Sequence, residues 1–193
     1  PPGLQVTCSS IIKLSHISTG FNLHSHKISW GSGSQQQSVT AHDSMNDQGG
    51  LWLVKEADGA LPCEAGMAIP CKSLVRLEHM ATSKNLHTHR FPSPLTKKLE
   101  VSCFGEGGEG DSGDNWEVIC TSPSGTHWRR GEHVKLRSVA TGAYLQSSKS
   151  ARFDQRNCPN CPIIGQQEVV GGSEQASGNE SLWKADQGLF IET

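Results

Sequence analysis

Nine histidines and seven cysteines in 193 residues carry most of the chemical potential of this chain. His24 and His26 form one pair, and His87 and His89 repeat it, each pair split by a single residue. At that spacing on a strand both rings face one side, opposite Leu23 and Ser25 in the first pair. Two such pairs could meet at zinc. They lie in separate segments, however, and zinc takes four ligands within about 2.3 Å. The spacing therefore favours packing and hydrogen bonding within a hairpin, with partner binding as the other role, and neither a metal nor a cofactor is expected.

Cys63 and Cys71 flank the short connection 64–70, and the spacing predicts a disulfide between them, with a contribution of about 2–3 kcal/mol by chain entropy. Cys158-Pro159-Asn160-Cys161 admits a local disulfide, a redox pair or half a zinc site. Thioredoxin-type chemistry wants such a pair at a helix start after a strand. Here prolines accompany it inside an insertion between strands, so a structural disulfide is the expected state. Cys8, Cys103 and Cys120 leave an odd count, and Cys103 lies in a strand marked by Val101.

The glycine-rich stretch 104–114 contains Glu106, Glu109 and Asp111. It lacks the regular carboxylate spacing of a calcium-binding EF-hand loop. It reads as a solvated loop able to present an acidic face to a partner. Asn179-Glu180-Ser181 is an N-glycosylation acceptor sequence, making Asn179 a candidate modification site. No nucleophile elbow, phosphate-binding glycine motif or HExxH is found, so the chain is not expected to be an enzyme.

Composition narrows the classes further. Seventeen basic against 19 acidic residues give a formal charge of −2, with no local basic run of the kind nucleic-acid binders carry. No stretch approaches the roughly 18 apolar residues of a membrane span. Seven cysteines suggest an oxidising compartment. The opening Pro1-Pro2-Gly3 lacks the features of a signal peptide, as a processed or a truncated chain equally would.

The elements that must position these residues occur in triplicate. Leu14, Leu77 and Leu136 are each followed nine residues later by a second leucine: Leu23, Leu86 and Leu145. Val39, Val101 and Val169 follow, and then Trp52, Trp116 and Trp183. In the first strand of each copy Ile12/Leu14, Val75/Leu77 and Val134/Leu136 alternate with Lys13, Arg76 and Lys135, the period of a strand with one buried face. A unit of roughly 60 residues is marginal alone, whereas three four-stranded units closed around an axis share one core and leave few free edges. The expected fold is an all-β, pseudo-threefold β-trefoil filling residues 1–193, with repeats at about 4–62, 63–126 and 127–193.

Several segments resemble the MIR-domain family, found in protein O-mannosyltransferases and in inositol trisphosphate and ryanodine receptors. They include Val6-Thr7-Cys8-Ser9-Ser10-Ile11-Ile12-Lys13-Leu14, the Leu-His-x-His stretches at 23–26 and 86–89, Glu100-Val101-Ser102-Cys103-Phe104-Gly105 and Gly165-Gln166-Gln167-Glu168-Val169. Within that family the chain is most similar to the stromal cell-derived factor two group. The resemblance implies a protein of the endoplasmic-reticulum lumen that works with a J-domain co-chaperone and the luminal Hsp70 on unfolded clients. The usual retrieval tetrapeptide is not at Ile191-Glu192-Thr193. A carbohydrate- or glycopeptide-binding module is the alternative. It is thinly supplied with aromatic platforms, since Trp30, Trp128, Tyr144 and a few Phe remain once the repeat tryptophans enter the core. The third copy departs from the pattern: Gln146 and Ser148 replace the histidines, and an insertion near 152–164 carries the Cys158–Cys161 pair.

Overall fold

The computed structural model describes residues 4–173 and 179–193. The first copy supplies β1 (Ile11–His16), β2 (Asn22–Ser29), β3 (Gln37–His42) and β4 (Trp52–Glu56). The second supplies β5 (Leu74–His79), β6 (Lys84–Pro92), β7 (Leu99–Phe104) and β8 (Trp116–Cys120). The third supplies β9 (Val134–Ser138), β10 (Tyr144–Arg152), β11 (Gln167–Gly172) and β12 (Trp183–Leu189). Among the described residues the only helical pieces are single 3-10 turns at Gln48–Gly50, Glu106–Gly108 and Ser112–Asp114.

Strand alternation comes out as the side-chain pattern demands. Ile12, Leu14, Val75, Leu77, Val134 and Leu136 are all buried, while Lys13, Arg76 and Lys135 between them are less so. The outer strands of the copies pair in a closed ring, β1 with β4, β4 with β5, β5 with β8, β8 with β9, β9 with β12 and β12 with β1. The inner strands form three hairpins, β2–β3, β6–β7 and β10–β11. These hairpins also join each other, through β3–β7, β7–β11 and β11–β3. Every pairing is antiparallel.

The segments that precede β1, β5 and β9 close the core further. Residues 5–7, 68–70 and 127–129 bridge one another, and they seat Val6, Ile69 and Trp128 in the core. Trp128 is thus core, 1% exposed, and no surface platform.

Each repeat tryptophan is fully buried, so its indole N–H needs an acceptor. Trp52 donates to the Leu23 carbonyl at 3.0 Å, and Trp116 and Trp183 donate to Leu86 and Leu145 at 2.9 Å. A histidine from a neighbouring copy backs two of these rings, His79 on Trp52 and His16 on Trp183.

The expected Cys63–Cys71 disulfide is not formed. Cys63 pairs with Cys8 and Cys71 with Cys120, at Cα separations of 6.2 and 5.7 Å. The connection between Cys63 and Cys71 does not close on itself. It turns once at Ala65-Gly66, with Met67 N–H donating to Glu64, and it is held between two neighbours: Cys8 N–H donates to Met67 and Gly66 N–H to Cys8 on one side, and Cys71 and Lys72 N–H donate to Thr126 and Val118 on the other. Each cysteine therefore meets a neighbouring segment. The loops closed span 55 and 49 residues, for which chain entropy gives about 4 kcal/mol each. Cys158 is joined to Cys161, and Cys103 is a buried free thiol whose pKa burial pushes up to about 12.

Two outcomes follow. Peptide mapping without reduction should recover the 8–63 and 71–120 crosslinks, and a 63–71 crosslink would contradict this topology. Trp116→Phe strips the Leu86 carbonyl of its indole donor and should cost about 1–3 kcal/mol in urea unfolding; an unchanged midpoint would show that bond to be dispensable.

Candidate functional site

The paired histidines lie on the hairpins, and each is positioned by the tryptophan anchor beside it. Leu23 and Leu86, which accept the indole bonds, immediately precede His24 and His87. In the first copy His24 Nδ1 meets Asp47 at 2.5 Å, His24 Nε2 meets His26 Nδ1 at 2.6 Å, and His26 Nε2 meets Ser38 Oγ at 3.2 Å. In the second, His87 Nδ1 meets Asp114 at 2.8 Å, His87 Nε2 meets His89 Nδ1 at 3.1 Å, and His89 Nε2 meets Glu100 at 2.5 Å. Both are linear relays of carboxylate, imidazole, imidazole and oxygen acceptor.

The carboxylates come from short turns: that of Asp47 is not singled out by the sequence reading, and that of Asp114 closes the glycine-rich stretch 104–114, which reads as a solvated loop. Asp47 caps Gln48–Gly50 by accepting from Gly49 N–H, and Asp111 caps Ser112–Asp114 by accepting from Gly113 N–H. Those glycines are required by the histidines. A Cβ on Gly49 would fall 2.7 Å from the His24 ring, and one on Gly113 would fall 2.4 Å from the His87 ring. An Asp-x-Gly triplet just before Trp52 and just before Trp116, absent before Trp183, was the available signal.

His24 and His87 are buried, 7% and 5% exposed, and take the packing and hydrogen-bonding role that their spacing favours rather than the alternative one of a partner surface. Their ring nitrogens are committed to the buried carboxylates and to the second histidine. His26 and His89 are half-buried, and Glu106, Glu109 and Asp111 are exposed. Ligating atoms of His87, Asp111 and Asp114 lie within 4.8 Å of one another, but the direct His87–Asp114 hydrogen bond would have to break to admit an ion. Asn179 is exposed, and Ser181 of its acceptor sequence is buried.

Ser38, His26, His24 and Asp47 stand in the order of a serine relay. Ser38 is 1% exposed, however, and its hydroxyl donates to the Ile28 carbonyl at 2.7 Å. Nucleophilic attack needs a hydroxyl that reaches substrate and gives its proton to the imidazole. This one does neither, and Glu100 occupies the matching place in the second copy.

Glu100 and its third-copy counterpart Glu168 are both 1% exposed and hold the hairpin tips of the preceding copies. Glu100 accepts from the Ser34 amide and hydroxyl. Glu168 accepts from the Leu95 and Thr96 amides and the Thr96 hydroxyl. Where the three tips meet, Trp30, Phe153 and Ile163 form a second apolar cluster, with Leu95 and the Cys158–Cys161 bridge packed against it. A cavity of about 410 Å³ opens there, lined from all three hairpins. Trp30 is held by its indole bond to the Val101 carbonyl.

Burial and the adjacent His24 charge lower the His26 pKa to about 4, and burial lowers those of His16 and His79. Burial raises the Asp47 carboxyl, but its hydrogen bond and charge interaction with His24 and the Gly49 amide more than offset this, leaving it below its ordinary value. Histidines with a depressed folded-state pKa bind fewer protons folded than unfolded, so stability is full above pH ~6.5 and drains toward pH 4. The urea midpoint should fall between pH 7 and pH 5, and His26→Gln should remove part of that slope. Equal midpoints would contradict neutral buried rings.

No family model matches the chain. A stromal cell-derived factor 2-like protein of Dictyostelium discoideum is 42% identical over 194 residues, covering 99% of this chain and 86% of the relative. The crystal structure of the stromal cell-derived factor 2-like protein of Arabidopsis thaliana superposes with a TM-score of 0.87 at 36% identity, over 97% of this chain and 98% of that one. A chain of the S. cerevisiae protein O-mannosyltransferase Pmt1–Pmt2 complex, solved bound to the sugar donor, matches with a TM-score of 0.80 at 28% identity, over 97% of this chain and 26% of that one. With identity of this level running almost end to end, the chain belongs to the stromal cell-derived factor 2 family.

Proposed function

We propose that this protein is a non-catalytic adaptor of the endoplasmic-reticulum lumen, acting with a J-domain co-chaperone and the luminal Hsp70 on unfolded clients in folding quality control and the unfolded protein response. The observation that carries the reading is end-to-end kinship with the stromal cell-derived factor 2 proteins, 42% over 99% of the chain. Three disulfides among the described residues fit an oxidising compartment. No helix among the described residues is long and apolar enough to cross a membrane. The ring of strands and the mutually paired hairpins support a pseudo-threefold β-trefoil of MIR type. The committed hydroxyl of Ser38 supports a binding rather than a catalytic role.

The partner face is the loop between β7 and β8. Its Glu106, Glu109 and Asp111 are exposed, while the reciprocal Asp111–Asp114 capping box holds the turn in shape. A pre-shaped acidic loop loses little conformational entropy on docking. A glycan-binding role is the second reading, favoured by the likeness to the O-mannosyltransferase chain. Against it, Trp128 is buried in the main core and offers no sugar platform.

Affinity capture from an endoplasmic-reticulum extract, read by mass spectrometry, tests both. The wild-type chain should recover a J-domain protein and Hsp70, and Glu106→Lys with Glu109→Lys should reduce that recovery severalfold. Recovery of mannose-eluted glycoproteins without chaperones would replace the adaptor reading with the glycan one.

A further inference from the structure

The basic residues are scattered in sequence, and the fold regathers them. The hairpin segments 26–37, 89–100 and 148–168 hold seven of the 17 Lys and Arg residues but only three of the 19 acids. Two of those acids, Glu100 and Glu168, are buried and bound to the hairpin tips, which leaves Asp154 as the exposed one. Lys27, Arg90 and Lys97 are exposed, as are Lys149, Arg152 and Arg156. None of the six forms an ion pair among the described residues; Arg152 instead donates to the Gly165 carbonyl and lies over the Phe21 ring. A chain with a net charge of −2 thus has one strongly basic end.

The apolar cavity sits at the meeting point of those same hairpins. Its volume of about 410 Å³ lies within the roughly 300–1,000 Å³ typical of ligand sites. Trp30, Leu95, Phe153 and Ile163 supply apolar wall, each hairpin contributing at least one. The Cys158–Cys161 bridge, carried by the insertion peculiar to the third copy, closes one side. Lys27, Arg152 and Arg156 are next in sequence to the wall residues Ile28, Phe153 and Asn157.

We propose that this end docks an acidic peptide segment through one large apolar side chain seated in the cavity. Charge complementarity selects the acidic flanks: unpaired surface cations attract and steer an oppositely charged segment. The cavity selects the anchor, since burying one leucine or phenylalanine side chain is worth roughly 10- to 100-fold in affinity. A sulfated glycan matches the charges but brings nothing apolar to the cavity. An uncharged peptide fills the cavity and gains nothing from the basic rim. At one edge this surface adjoins the acidic β7–β8 loop, where Lys27 and Glu106 line the same cleft, but the cavity lies among the hairpin tips, and the inference does not depend on the adaptor reading.

The probe is a fluorescein-labelled Asp-Glu-Asp-Xaa-Glu-Asp-Glu peptide with Leu, Phe, Trp or Ala at Xaa, alongside the same set with serine for every acid. Anisotropy measures affinity, and the Trp30 indole N–H resonance reports cavity occupancy. At least one of the Leu, Phe and Trp acidic peptides should bind tenfold or more tightly than the Ala peptide and shift the Trp30 signal. Serine replacement, added salt and the Arg152→Glu/Arg156→Glu variant should each weaken binding about tenfold. No saturable binding of those three peptides up to about 1 mM overturns the proposal. Equal binding of the Ala peptide and of a heparin oligosaccharide, with Trp30 unmoved, also overturns it and assigns the charges to a polyanion instead.

Discussion

A buried indole N–H with nowhere to turn but one carbonyl organises this molecule. Each copy places a tryptophan at the start of its fourth strand, and each donates to the leucine carbonyl on its second strand at 2.9–3.0 Å. Leaving such a donor unpaired in a core is costly, so the bond fixes the hairpin against the strand ring in one position. The next residue along is His24, His87 or Gln146, whose placement is inherited from the anchor. The histidine relays and the meeting of the hairpin tips all stand downstream of that constraint.

Much of this is written in the sequence because the determinants are local or periodic. Alternation in β1, β5 and β9 marks the buried face, and the repeated leucines and tryptophans mark the copies. The i, i+2 histidines share a face, and the structure joins their rings directly. What sequence could not supply is which segment lies beside which. Cys63 and Cys71 are close along the chain, yet the connection between them is held by two different segments and gives each cysteine a different neighbour. The hydrogen-bonding role of His24 and His87 is legible from their spacing, but their partners Asp47 and Asp114 are not. Trp128 reads as spare until the bridged linkers carry it into the core. The basic end is invisible in sequence because its members lie on three separate hairpins.

The third copy shows what is structural and what is free to vary. It keeps the tryptophan anchor and the ring strands, since the ring cannot close without them. It loses both histidines, with Gln146 donating instead to the Ser173 carbonyl at 2.5 Å. The longer tip that replaces a simple turn contributes Phe153 and Ile163 to a cluster shared with Trp30 of the first copy. The relays are therefore one solution to satisfying a hairpin base, and the tip is where this chain has diverged.

The two long disulfides bear on how the protein is made. Cys8–Cys63 encloses the first copy and Cys71–Cys120 most of the second, whereas the bridge in the third spans 3 residues. A chain emerging N-terminus first, as in vectorial synthesis, can lock its first two copies in turn while the last is still being polymerised. β1 must nevertheless wait for β12, its antiparallel neighbour at the far end of the chain. The nascent protein is thus a pair of oxidised loops with an open seam, and final ring closure falls to the copy with no long covalent tie.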